Sequence, residues 1–157
     1  MMEKDITNDG KVIVFQLKDE EYALPVDQVG AIEKMHTITR VPQTSGFVKG
    51  VINLRGVVTP IIDLRLRFGM EEIAVSESTR IIIVTLPEME VGLIVDAAND
   101  IIDVPEEMIE QPPAAIGSID IDYIDGVTKY NNRLIVLLNL QKVLKMEANE
   151  SLVFLED

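Results

Sequence analysis

The chain has 157 residues, enough for one ordinary domain or two small intertwined ones, and 47% are hydrophobic, mostly Ile, Val and Leu, so a sizeable core can form. Aromatics at 4% with no Trp leave few faces on which bases or sugars could stack, and the absence of Cys removes disulfides, thiolate nucleophiles and zinc–thiolate sites. A formal net charge of −13 sets the chain against nucleic acid and anionic membrane surfaces.

The segment Met1 to Lys11 is acidic and polar, without the apolar centre of a signal peptide. From there Ile13–Leu17 leads through Lys18–Glu21 into Tyr22–Asp27, two β-rich runs around a charged turn that read as an antiparallel hairpin. One helical turn follows. Val26 and Val29 lie three apart and share a face if that turn is helical, and Ile32 then opens an extended segment. The densest unit of the chain comes next, Gly50-Val51-Ile52-Asn53-Leu54-Arg55-Gly56-Val57-Val58-Thr59-Pro60-Ile61-Ile62-Asp63-Leu64. It combines a glycine-bounded turn carrying a lone arginine, an apolar strand and, at Asp63, a helix N-cap whose side-chain oxygen can accept an otherwise unpaired backbone N–H. Leu64 and Phe68 lie four apart on the helix so started, and Gly69 suits its end.

A polar stretch from Glu71 to Thr79 is the best linker candidate, and after it the pattern repeats. Ile82–Leu86, Pro87–Glu90 and Val91–Asp96 match the first hairpin at an offset of 69 residues, with Ile13/Ile82, Leu17/Leu86, Glu21/Glu90, Leu24/Leu93, Val26/Val95, Asp27/Asp96 and Ile32/Ile101 identical. Ile101–Val104 is extended, and Pro105–Ile109 reads as a short helix with Pro first and acids in its first turn. In Ser118–Asp125, Ile119, Ile121 and Tyr123 alternate with Asp120 and Asp122 as in a half-exposed strand. The glycine-bounded unit returns at an offset of 76, with Gly126-Val127 for Gly50-Val51 and Val136–Leu140 for Pro60–Leu64. Asn139 then caps a helix with the stripe Leu140, Val143, Leu144 and with Lys142 and Lys145 near its end. The apolar runs Ile81–Val84 and Leu134–Leu138 are too short to span a bilayer, so the expectation is a soluble cytoplasmic protein. The tail from Glu147 is expected to fray unless Leu152–Leu155 dock. Each half thus reads as hairpin, turn, strand, linker, glycine-bounded hairpin and short helix, which predicts two small barrels packed together.

Charge is polarised. Lys34 to Arg67 holds six basic residues against one acid, Asp63, a balance of +5, while Asn99 to Asp125 holds eight acids and no Lys or Arg. These windows are either solvated surface or two faces for partners of opposite charge. Candidate chemistry is thin. The lone His36 has no serine elbow or cysteine beside it, so a surface or interface role is expected; Asp120, Asp122 and Asp125 lack the later glutamate of a calcium loop. No catalytic residue, metal or cofactor is therefore expected. Arg55 has no acid near it in sequence and is open to three readings: an exposed turn residue, an internal ion pair bracing the turn, or a bidentate anchor for a partner's carboxylate. In the glycine-anchored alignment its place is taken by Asn131, so it is the part of the repeat that is not repeated.

The block Phe47–Phe68, together with Phe15-Gln16-Leu17, Glu20-Glu21-Tyr22, Val91–Asp96 and the C-terminal strand and helix, resembles the chemotaxis coupling (CheW) family over nearly the whole chain, from Lys11 to Met146. The resemblance implies a mainly β fold of two SH3-like five-stranded barrels around a shared hydrophobic core, with short helices including one near the C-terminus. As one domain it would span residues 11–148, with subdomains at 11–75 and 80–148, strand exchange between them allowed, and flexible termini at 1–10 and 149–157. It also implies a non-catalytic adaptor that bridges the cytoplasmic helical hairpin of chemoreceptors to the regulatory domain of the histidine kinase CheA, monomeric when free and recruited to membrane-associated receptor clusters. By that resemblance Val26, Val29, Ile32 and Arg55 match receptor-binding positions, and Gly50, Gly92, Ile101 and Gly126 match positions of receptor or kinase coupling. The family often carries a glutamate two residues after the position of Val29. Here that residue is Ala31, which leaves Glu33, two residues further along an extended strand, to face Arg55 in its place. The rival expectation is a small barrel enzyme or ligand-binding domain using His36 or the Asp120–Asp125 acids, marked by a closed pocket lined by those residues.

Overall fold

The computed structural model describes residues 10–42, 46–113 and 120–145. These form ten strands: β1 Lys11–Leu17, β2 Glu20–Pro25, β3 Val29–Lys34, β4 Val48–Leu54, β5 Val57–Asp63, β6 Arg80–Thr85, β7 Glu90–Val95, β8 Ala97–Asp103, β9 Ile124–Tyr130 and β10 Arg133–Leu138. Two short helices, α1 (Leu64–Arg67) and α2 (Leu140–Leu144), follow β5 and β10. The strands make two five-stranded sheets, here sheet A in the order β8-β1-β2-β10-β9 and sheet B in the order β3-β6-β7-β5-β4.

The duplication read from the sequence maps one sheet onto the other strand for strand. The hairpins β1–β2 and β6–β7 occupy equivalent places, as do β3 and β8, β4 and β9, and β5 and β10. Each sheet has one parallel contact, Ile61–Asp63 beside Gly92–Ile94 in sheet B and Ile135–Leu137 beside Glu21–Ala23 in sheet A. Sheet B therefore takes its β6–β7 hairpin from the second repeat, and sheet A takes its β1–β2 hairpin from the first.

Burial explains why these runs read as nearly continuous apolar sequence. Val14, Phe15, Ile82, Ile83 and their neighbours are covered on both faces of their strands. Val12, Val14, Ile102 and Ile135 fill the inside of sheet A, and Ile52, Ile61, Ile81 and Ile83 fill sheet B. The opposite faces meet in a larger cluster that includes Phe15, Tyr22, Ile62, Leu64, Phe68, Ile82, Leu93, Val136 and Leu140. Two curled sheets around a common core are the SH3-like arrangement expected. The edge strands of a sheet do not hydrogen-bond to each other. Ion pairs join strands that are not neighbours: Arg55, on the β4–β5 turn, reaches Glu33 on the edge strand β3, and Arg133 on β10 reaches Asp100 on the edge strand β8.

Both helices start as the caps predicted. Asp63 Oδ1 accepts the Leu66 N–H at 3.3 Å and Asn139 Oδ1 accepts the Lys142 N–H at 3.0 Å. Three expectations change in detail. The Val26 turn is a 3-10 turn, Val26–Gln28, and the following strand already begins at Val29, before Ile32. Pro105 is the cap of a 3-10 turn, Glu106–Met108, and stands outside it. The alternating Ile121–Tyr123 stretch is also a 3-10 turn rather than a strand, because Asp120 Oδ1 accepts the Asp122 N–H at 2.9 Å and bends the backbone before β9 begins. Ser118, Ile119 and the Leu152–Leu155 tail lie outside the described residues.

Candidate partner-binding site

The predicted apolar face exists, but the backbone builds it in an unexpected way. The 3-10 turn ends with the Val29 N–H bonding the Val26 carbonyl, which places Val29, the first residue of β3, one turn after Val26. Val29 and Ile32 would point to opposite faces of a regular strand. A bulge at Gly30 shifts the register: Val29 pairs with Val84, but Ala31 pairs with Ile83 and Ile32 with Ile82. Directly opposed residues project to one side, so Val29 and Ile32 both lie on the Val84–Ile82 face. Ala31 and Glu33, opposite Ile83 and Ile81, turn to the inside of sheet B. Val29 packs partly into the shared core, while Ile32 is left 42% exposed on an edge strand. A glycine inside a strand pattern is the sequence signal that could have announced this bulge.

Arg55 stands beside this strand. The β4–β5 connection has two central residues, Arg55 (φ 52°) and Gly56 (φ 88°), both in the left-handed region that a type I′ hairpin requires. The equivalent β9–β10 turn uses Asn131 (φ 49°) and Asn132 (φ 67°), residues suited to that backbone. Arginine is not, and it is held there by the turn: Asn53 Oδ1 accepts the Gly56 N–H at 2.7 Å. The guanidinium projects outward, 72% exposed, and one nitrogen lies 3.5 Å from Glu33 Oε2. The other oxygen of Glu33 lies 3.4 Å from His36 Nε2. Of the readings open for Arg55, the ion pair is thus present, and it leaves most of the guanidinium facing solvent.

The remaining sequence-selected positions fall in two groups. Ile101, on β8 opposite Ile13, is the repeat counterpart of Ile32 and is 58% exposed. The glycines are spacing devices. A Cβ on Gly50, at φ 144°, would stand 2.1 Å from the Thr39 carbonyl oxygen, because Thr39 and Val51 exchange backbone hydrogen bonds across it. Gly126 has the same relation to Glu110, whose backbone bonds Val127, and its Cβ would meet the Ile109 side chain at 2.6 Å. Gly92 lets Ile61 and Ile81 close over β7, where a Cβ would come within 2.6 Å of Ile61.

The rival site does not assemble. His36 is engaged with Glu33, Asp120 caps its own turn, and Asp125 Oδ1 accepts an Asn139 side-chain N–H at 3.0 Å. A cavity of about 100 Å³ does lie under the 70–79 strap, but its lining, including Met35, Ile38, Asp63, Arg65 and Ile94, contains neither His36 nor those acids. Around it are contacts that spacing alone did not announce. Arg65 grips Asp96 with two nitrogens at 2.9 and 2.6 Å, and Lys49 pairs with Glu72 of the strap. Burial pushes the Asp96 carboxyl upward, but the Arg65 guanidinium and the Lys18 N–H outweigh it and hold it below the usual range. Asp63, beside them, is driven above its usual value by burial. Arg67 is sandwiched by Phe47 (4.7 Å) and Tyr123 (5.1 Å) and donates to the Val143 and Lys145 carbonyls at 2.6 Å each, stitching α1 to the end of α2. Among the described residues no helix is long and apolar enough to cross a membrane.

Comparison with known proteins gives this geometry a setting. The family model described as the CheW-like domain matches residues 11–148. The chemotaxis protein CheW of Bacillus subtilis (strain 168) is 43% identical over 152 residues, covering 97% of either chain. That of Klebsiella aerogenes is 33% identical over 135 residues, 86% of this chain and 81% of its own. The crystal structure of the scaffolding protein TtCheW from Thermoanaerobacter tengcongensis superposes with a TM-score of 0.82 at 35% identity, covering 92% of both chains.

Proposed function

Because this chain belongs to the CheW-like family of chemotaxis proteins, we propose that it is a non-catalytic adaptor that couples chemoreceptors to the histidine kinase CheA. The observation that carries the reading is the edge of sheet B, where Val29 and Ile32 lie on one side of β3, just after Val26, and the exposed guanidinium of Arg55 reaches the same strand at Glu33. An apolar strip flanked by an exposed cation suits an amphipathic helical partner, whose apolar ridge covers the strip while an acid on its flank meets the arginine. The receptor's cytoplasmic helical hairpin is that partner in this reading.

Receptor or kinase coupling involves further residues in this reading. Ile101 offers an exposed apolar contact on sheet A, whereas Gly50, Gly92 and Gly126 act through the backbone by letting neighbouring segments close up. We place the domain at residues 11–148, treat the free protein as a monomer, and locate it in the cytoplasm beneath receptor clusters.

The test is binding of the full chain to a soluble receptor hairpin fragment and to the CheA regulatory domain, alongside a kinase-activation assay with and without the chain. Coupling predicts binding to both and a kinase response that requires the chain. Failure to bind either partner at tens of micromolar, with the chain shown to be folded, overturns the proposal.

A further inference from the structure

We propose that Glu33 is the positioning residue for Arg55, and that the docked partner supplies a second carboxylate to the guanidinium donors that Glu33 leaves open. This rests on the adaptor reading for its partner, but its first half concerns the free protein alone.

Two arginines that pair across non-neighbouring strands make the argument by contrast. Arg133, in sheet A, has four of its five donors engaged. It contacts Glu21 at 3.0 and 2.8 Å and Asp100 at 3.2 and 3.0 Å, and lies against the Tyr130 ring. Its hydrogen bonds to Glu21 and then Asp100 raise its pKa further above the ordinary arginine value. Arg55, in sheet B, has among the described residues one contact to a carboxylate, at 3.5 Å and from one nitrogen only. A guanidinium has five N–H donors in a rigid fork, so this contact orients the group while most of its capacity stays open.

Two further observations fit an arginine kept for an external partner. It occupies a left-handed turn position that its copy fills with Asn131, and such backbone cost is tolerated where the side chain serves something else. Its acid is also the better-held member of the pair. Glu33 is only 22% exposed, turned to the inside of sheet B, and its second oxygen is occupied by His36. A partly buried carboxylate with His36 at its other oxygen is the post, and the exposed guanidinium is the movable arm. The arm reaches β3 at Glu33, next in sequence to the exposed Ile32, and is itself 72% exposed, so a partner acid can meet its open donors without displacing Glu33.

A double-mutant cycle on the full chain, read as affinity for the soluble receptor hairpin fragment, tests both halves. Glu33→Gln should weaken binding about two- to fivefold in the wild-type background and leave affinity unchanged in Arg55→Ala, because Glu33 acts only through the arginine. Equal losses in both backgrounds, or no loss in either, would overturn the positioning role. The charge swap Glu33→Arg/Arg55→Glu restores an internal pair but repels a partner acid, so binding should stay weak. Full recovery by the swap would mean that Arg55 only braces the barrel. If the wild-type chain binds no receptor fragment, the adaptor reading fails separately. The positioning role is then decided in the free chain by ¹⁵N relaxation of the Arg55 Nε–Hε group, which should become markedly more mobile in Glu33→Gln; unchanged relaxation would refute it.

Discussion

Arg55 and Asp63 belong to one sequence block and obey opposite rules. Asp63 has a close copy in Asn139, and both cap a helix with the same oxygen. Burial raises the Asp63 pKa, so its charged form is favoured less in the folded than in the unfolded chain. That penalty is present at neutral pH and disappears as pH falls below the ordinary carboxylate range. Asp63→Asn keeps the cap and removes the charge, so it should raise stability at pH 7, with the gain shrinking in acid. Asp63→Ala should lower stability by about 1 kcal/mol at pH 7 through loss of the cap, and denaturant titrations of the two variants give both numbers. Arg55→Asn installs the residue that its copy uses. Relieving the left-handed backbone contributes up to about 1 kcal/mol, enough to offset loss of an exposed ion pair. The expected result is a Tm equal to or above wild type with receptor binding weakened. A lowered Tm would show instead that the arginine stabilises the barrel.

Elements in this protein are placed by a few close backbone approaches. The Thr39–Val51 and Glu110–Val127 bridges lie on the outer edges of β4 and β9, and each needs a glycine beside it. The two glycines are not equally strict. Gly50→Ala drives Cβ into a backbone oxygen and should cost about 3 kcal/mol or more, whereas Gly126→Ala chiefly meets the Ile109 side chain, which can move, and should cost about 1–2 kcal/mol. Urea unfolding midpoints rank them. At the helix ends, Arg67→Ala strips α2 of the donors on its Val143 and Lys145 carbonyls, and faster hydrogen exchange of the Val143 amide should report the loosened end. Hairpins, caps and the duplicated glycines were legible in the sequence because they are local: a two-residue turn, one side-chain oxygen, one missing Cβ. The 3-10 turn at Ile121 was not, since a single Asx hydrogen bond overrode an alternation that also suits a strand. The bulge at Gly30 was hidden for a related reason. Three-residue spacing predicted a common face only for Val26 and Val29, and it is a shift in pairing with β6 that puts Ile32 on the side of Val29.

Across the whole molecule, the long-range pairs carried the least sequence signal. Nothing in the spacing of Arg65 and Asp96, or of Arg133, Glu21 and Asp100, announces that they meet, because each contact exists only after a hairpin of one repeat has entered the sheet of the other. The hydrogen bonds of Arg133 hold the Glu21 carboxyl below its usual range, and Asp96 is held down likewise. Both are depressed carboxylates, so their stabilisation is complete above the ordinary carboxylate range and is lost as pH falls through the lowered values. Asp96→Asn should therefore cost stability at pH 7 and progressively less in acid, opposite in sign to Asp63→Asn. With a core shared by both sheets, thermal unfolding followed by far-UV circular dichroism and by tyrosine fluorescence should coincide in one transition.

The exchanged hairpins also impose an order in time. All five strands of sheet B lie between Val29 and Val95, so sheet B can close as soon as that stretch has left the ribosome. The β1–β2 hairpin is made first but cannot be completed then, because its neighbours β8 and β10 arrive only with residues 97–138. The first of the ten strands to be synthesised are among the last to find their places, and their apolar edges must wait unpaired while the strands of sheet B fold. The edge that carries Ile32 and Arg55 belongs to the sheet that finishes early, so the proposed receptor face can be in place before the protein is whole.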